Sequence, residues 1–220
     1  MSYSFAMTAS SRYPVPAATH RVEQEISRSR FITTIGRVST VEEAQIYIRA
    51  VADEFSDATH NCWAYLVGPP GDTSRIGLSD AGEPHGTAGR PMLNALLHGP
   101  VGDVAAVVTR YYGGTKLGTG GLVRAYGGGV QAALATLPVT ERIVYVRLVV
   151  TIDYAKLTAV QQLCAEHEAE ILEQEFAEQV RVTLRLPDGN AGRFRAALLD
   201  ATRGQALLAD LPRADSTKAD

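Results

Sequence analysis

The amino-acid sequence predicts an α+β protein of two domains, and three observations predict it. Strands and helices mix without strict alternation over residues 20–137. A strand–helix–strand–strand–helix–strand run, the ferredoxin-like βαββαβ pattern, fills 141–212. Pro138 stands between the two, directly after an apolar helical stretch that it would stop. The domains are therefore expected at 20–138 and 139–212, with a flexible tail at 1–19 and a polar tail at 213–220. A chain of 220 residues fits one large domain or two small ones.

Each element has a local reason. "HRVEQEISRSRFITTIGRV" (20–38) alternates and is rich in β-branched residues, so it reads as two strands. In "STVEEAQIYIRAVADEF" (39–55), Thr40 and Glu43 form a capping box, and Ala44, Ile48, Val51 and Phe55 mark one helical face. "NCWAYLVG" (61–68) is a buried strand, and "SRIGLS" (74–79) a short one after the "PPGD" turn. "SDAGEPHG" (79–86) carries too many breakers to be anything but a loop. "TAGRPMLNALLHG" (87–99) reads as a helix capped by Thr87, with Pro91 near its first turn and Gly99 at its end. "VAAVVTRYY" (104–112) is a central strand. A glycine-rich stretch follows, and a helix is expected from Gly120 or Gly121 to Leu137. The second half starts with one long strand at 141–153 and a helix at 154–168. "AEILEQEF" and "QVRVTLRLP" are strands, "DGNAGRFRAALLDATR" is a helix, and "GQALLADL" is a last strand.

Composition narrows the class. The chain is 45% hydrophobic and 20% charged, which is ordinary for a soluble globular protein. No apolar run approaches the ~20 residues of a membrane helix. The first residues lack the basic start and apolar block of a secretory leader, so none is expected. Cys62 and Cys164 form neither a CxxC pair nor a disulfide framework, so a cytoplasmic protein with free thiols is expected. A net charge of −3 argues against indiscriminate nucleic-acid binding, so any such contact must use a local patch. One exists: between Asp103 and Glu141 there is no acid, while Arg110, Lys116 and Arg124 fall in that window. By contrast "EHEAEILEQEFAE" (166–178) holds six acids and no base, an acidic face suited to a protein partner.

The stretch "RYYGGTKLGTGGLVRAYGGG" (110–129) fails both standard phosphate fingerprints. GxGxxG would need glycine at position 123, which is Val123, and Lys116 lacks the preceding Gly and following Ser or Thr of a Walker loop. A physical argument for an anion site remains. A strand ends, a glycine-rich turn follows, and a helix start offers free backbone N–H groups. The residues expected at that site are Arg110, Tyr111, Gly113, Gly114, Lys116, Gly118, Gly120, Gly121, Arg124 and Tyr126. The alternative is close packing, which is the expectation for Gly127, Gly128 and Gly129. The tyrosines could stack on RNA bases or simply pack.

Asp80 and Glu83 could do acid/base work or hold a metal, or could hold a tight turn. His60, Asn61, Ser79, Gly86 and Thr87 are expected beside that loop. Ser79 misses the nucleophile elbow by one residue. His60, Cys62 and His85 could be metal ligands, but no second pair stands at ligand spacing, and no metal or cofactor is expected.

"SRF", "ATHNCWAY", "SDAGEPHGTAGRPML" and "VVTRYYGGTKLGTGGLVRAY" occur in this order and at these spacings. The set resembles the IMPACT family, in its bacterial YigZ branch, over most of 20–137. The second half resembles that branch by pattern only. The resemblance implies an N-terminal domain like the second domain of ribosomal protein S5. It implies a ferredoxin-like C-terminal domain like domain V of elongation factor G. Eukaryotic members act in translational control by competing for an activator of a nutrient-sensing kinase, using an additional N-terminal domain. The present chain is expected to lack that domain, so that partner is not carried over. Ala81 and His85 depart from the family pattern, where an aspartate and a serine are expected. Loss of the acid weakens a metal site there.

Three functions stay open. The first is a non-enzymatic, translation-associated protein that binds RNA or a ribosome-associated surface through the basic glycine-rich site. The second is an enzyme acting on a small phosphorylated ligand. The third is a protein–protein interaction module using the acidic face. The residues favour binding over catalysis, and leave the partner and the oligomeric state open.

Overall fold

The computed structural model describes residues 11–212, which form two compact units. One is residues 13–142, and the other is residues 143–212 with Ser11 and Arg12.

The first unit is built on five strands: β2 (His20–Ile26), β3 (Ser29–Arg37), β4 (His60–Leu66), β5 (Ile76–Ser79) and β6 (Val104–Tyr111); β1 (Arg12–Pro16) lies outside this sheet. The sheet order is β2-β3-β6-β4-β5, and every neighbouring pair is antiparallel. The apolar β6 is its centre, and seven of its eight residues are buried because helices cover both faces. On one face α1 (Val41–Glu54) sets Ala44, Ile48 and Val51 against Tyr65, Val67, Ala105 and Val107. On the other, α2 (Gly89–Leu97) and α3 (Gly118–Thr136) set Met92, Leu96, Tyr126 and Val130 against Phe31, Leu66, Ala106 and Val108. Thr40 caps α1, its Oγ1 accepting from the Glu43 N–H at 3.1 Å, while the Glu43 carboxylate reaches one residue beyond the cap and accepts from Ser39 N–H at 2.7 Å.

The second unit has the expected βαββαβ order. Its elements are β8 (Tyr145–Ile152), α4 (Leu157–Glu166), β9 (Glu170–Phe176), β10 (Val180–Pro187), α5 (Asp188–Thr202) and β11 (Leu207–Leu211). The sheet order β11-β8-β10-β9 is that of a ferredoxin-like domain. Alternation sends Leu148, Val150, Val182 and Leu184 to the face where α4 and α5 place Val160 and Phe194.

Five local expectations are corrected. The flexible tail at 1–19 is too long, because Arg12–Pro16 is β1 and pairs with β7 (Val139–Ile143). Residues 1–10 and 213–220, the other tail, lie outside the described residues. The single strand at 141–153 is instead two, β7 and β8, parted at Val144, whose N–H is taken by the Ser11 carbonyl at 2.7 Å. The compact units therefore divide between Arg142 and Ile143 rather than at Pro138. The glycine-rich helix begins at Gly118, two or three residues early, and Thr87 does not cap α2. No helix among the described residues is long and apolar enough to cross a membrane.

Candidate functional site

The glycine-rich turn after β6 has distinct causes at its several glycines. A Cβ on Gly113 would lie 1.8 Å from the Arg28 carbonyl oxygen, so the β2–β3 hairpin presses directly on its backbone. Gly114 and Gly118 have φ of +83° and +69°, the left-handed region that side chains disfavour. The chain then enters α3 with Leu117 at the cap, no side-chain capping hydrogen bond and no acid in the first turn. The first-turn N–H groups of α3 thus have no helical partner and carry the positive end of its dipole.

These groups open on a cleft of about 390 Å³. Its apolar walls are Pro84, Tyr112, Leu117 and Leu122, and its polar lining is Glu83, Arg110, Lys116, Gly118 and Thr119. Arg110 and Glu83 are buried there, with side chains 6% and 3% exposed, and they pair at 2.6 Å. The Tyr126 hydroxyl donates to the same Glu83 oxygen at 2.7 Å, and Arg110 donates to Ser29 Oγ at 3.3 Å. The Phe31 and Tyr112 rings each stand 5.4 Å from the guanidinium. Arg110 Nε is buried and has no hydrogen-bond partner among the described residues. A buried pair offsets its desolvation cost only with such added hydrogen bonds, which explains why Glu83 needs Tyr126 as well as Arg110.

Asp80 serves a different helix. Its Oδ1 accepts from the Ala88 and Gly89 N–H groups at 3.0 and 2.9 Å, and its Oδ2 from Gly86 N–H at 2.7 Å. Asp80 therefore does the capping of α2 that was expected of Thr87, whose hydroxyl donates to the Pro84 carbonyl at 2.6 Å. Burial raises the Asp80 pKa, but the backbone donors of Gly86, Gly89 and Ala88 together outweigh it and hold the carboxyl below its ordinary value. Ser79 Oγ accepts from Ala81 N–H at 3.1 Å. His60 Nδ1 lies 2.9 Å from the Ala81 carbonyl oxygen. Cys62, buried beneath, donates to the Asp80 carbonyl at 2.9 Å, and burial pushes its thiol up to about 12. No group of three His, Cys, Asp or Glu suited to a metal occurs among the described residues.

The expected anion cluster is thus partly redistributed. Lys116 and Gly118 line the cleft. Arg110 lines it too, but its charge is already met by Glu83. Arg124 is exposed on α3 beside Gly120 and is not part of the lining. Gly121 packs against Leu117, where a Cβ would come within 2.9 Å. Tyr126 is fully buried. Tyr111 turns to the opposite sheet face, donating to Asp57 Oδ1 at 2.7 Å. Asn61 also faces away, donating to the Phe55 carbonyl and accepting from Thr109. Glu83 reaches the glycine turn, whereas Asp80 is occupied at α2. Tyr112, weighed for stacking or packing but not counted among the site residues, belongs to the lining: period-two alternation carried one residue past β6 puts it on the side of Arg110, over which its ring lies.

Together the fold and this cleft define a class: two-domain α+β proteins that join a helix-covered antiparallel sheet, with a cleft at a glycine-rich helix start, to a ferredoxin-like domain. The chain belongs to the IMPACT family. The Impact N-terminal domain matches residues 27–134, and a domain of unknown function, DUF1949, matches 150–205. The chain is 40% identical over 196 residues to an IMPACT family member of Haemophilus influenzae, covering 89% of this chain and 95% of that one. It is 41% identical over 194 residues to IMPACT family member YigZ of Escherichia coli, covering 88% and 95%. A crystal structure of a hypothetical protein, 39% identical, superposes with a TM-score of 0.65 over 92% of this chain and 98% of that chain.

Proposed function

We propose that this protein is a translation-associated, non-enzymatic RNA-binding protein that holds a phosphate of RNA at the start of α3. The observation that carries this reading is the helix start itself: it has no side-chain cap and no acid, and it opens on a cleft lined by Lys116. Such a start attracts an anion, and a lysine beside it opposes the helix dipole unless one binds. The translational setting comes from the family resemblance, which supplies no ligand. The enzyme alternative has less support at Asp80, because both of its oxygens already accept backbone N–H groups.

The test is RNA binding across a salt series. Lys116→Ala is expected to weaken binding, to lower the salt slope by about one, and to leave stability unchanged. Wild-type affinity and slope in that variant, or no binding by the wild type at low salt, would remove this reading.

A further inference from the structure

Resting on that reading, we infer that the cleft takes one unpaired nucleotide, with its base against Tyr112 and a single phosphate at the start of α3 beside Lys116. Size comes first. A cleft of 390 Å³ is at the low end of small-molecule sites, which run from about 300 to 1,000 Å³, so it admits one ring-bearing unit and not a helix. Surface chemistry comes second. Tyr112 is 46% exposed at its mouth, and Leu117 and Leu122 add apolar wall, which suits a flat ring face. A duplex keeps its base faces stacked inside, so only an unpaired nucleotide can offer one.

Charge comes third. Glu83 cancels Arg110, leaving Lys116 and the helix end, which together carry about one and a half positive charges. That balances one phosphate rather than a polyphosphate. An independent feature points the same way. Arg110 lines the cleft, its side chain is only 6% exposed, and its Nε has no partner among the described residues. A buried donor left open is costly, and an acceptor on a ligand would relieve it.

The probes are a short labelled single-stranded RNA, the blunt duplex of the same sequence, and the four 5′-mononucleotides, each at low salt. The single strand is expected to bind at least about tenfold tighter than the duplex, with mononucleotides competing for it. Tyr112→Ala should weaken single-strand binding about tenfold with only a small drop in melting temperature from the lost ring over Arg110, whereas Tyr112→Phe should bind and melt as the wild type does. Equal affinity for duplex and single strand, with Lys116→Ala still weakening both, would overturn the inference and leave the RNA reading standing. Tyr112-dependent binding of mononucleotides without binding of either RNA would uphold the cleft and overturn the RNA reading. Single-strand binding unchanged in Tyr112→Ala, or no binding of any probe, would overturn the inference.

Discussion

Asp80 shows how one side chain can look catalytic in sequence and act as scaffold in structure. Three backbone N–H groups converge on it, and α2 has no other side-chain cap. Asp80→Ala is expected to cost about 2 kcal/mol, at the upper end for a lost cap, because sheltered donors are left open. The pH dependence has a definite sign. The folded carboxyl titrates below its unfolded value of about 3.9, so its contribution is full above that pH and fades as pH falls through the folded pKa. Denaturant melts of wild type and Asp80→Ala should therefore differ most near neutrality and converge in acid. The Glu83–Arg110 pair makes a sharper case. Glu83→Gln leaves a buried guanidinium without its counter-charge and should cost about 3 kcal/mol or more. Glu83→Gln combined with Arg110→Met should recover much of that loss. A double variant as unstable as the sum of two singles would show that the pair is not the coupled unit described. Residue spacing alone gave no sign of this pair, since 27 positions and a loop separate its members.

At the scale of elements, the glycines of α3 divide by what faces them. All three of Gly127, Gly128 and Gly129 were expected to pack, but only Gly129 is tight: a Cβ there would lie 2.8 Å from Thr33 Oγ1 on the sheet. Gly127 meets Pro91 at 3.4 Å, close to ordinary contact, and Gly128 faces open space. Gly128→Ala should therefore stabilise the protein by up to about 1 kcal/mol, the difference in helix propensity. Gly129→Ala should instead lower the melting temperature, because Thr33 must give way. Thermal melts of the two variants should move in opposite directions. Most elements were legible from local pattern: the Thr40 cap of α1, the apolar β6 and the alternation of β10 each announce themselves within a few residues. β1 was not legible. "RYPVP" becomes a strand only because β7 lies beside it, and β7 is more than a hundred residues away.

At the scale of the molecule, the division between Arg142 and Ile143 makes a prediction about fragments. Residues 143–212 hold a complete ferredoxin-like sheet with its own buried cluster. Expressed alone they should unfold cooperatively, with far-ultraviolet and tryptophan-free near-ultraviolet signals lost together. A fragment that melts gradually would mean that this unit depends on the other. The candidate cleft lies wholly within the first unit, so residues 11–143 should keep whatever ligand the cleft binds. The domain pattern was legible because the βαββαβ order is carried by neighbouring segments. The position of the boundary was not, because β7 resembles the strand that follows it and is distinguished only by its partner.

That partner has a consequence in time. β1 leaves the ribosome first and β7 more than 120 residues later. At synthesis rates of about 5–20 residues per second, the earlier strand waits roughly 6–25 s for its mate. Tyr13 and Arg142, which both hold the buried Asp103 from the two strands, cannot act together before then. The first unit is therefore sealed by the last residues of its own translation. A nascent chain halted short of Ile143 should be cut by protease near residues 12–16, and one halted well beyond it should be protected there.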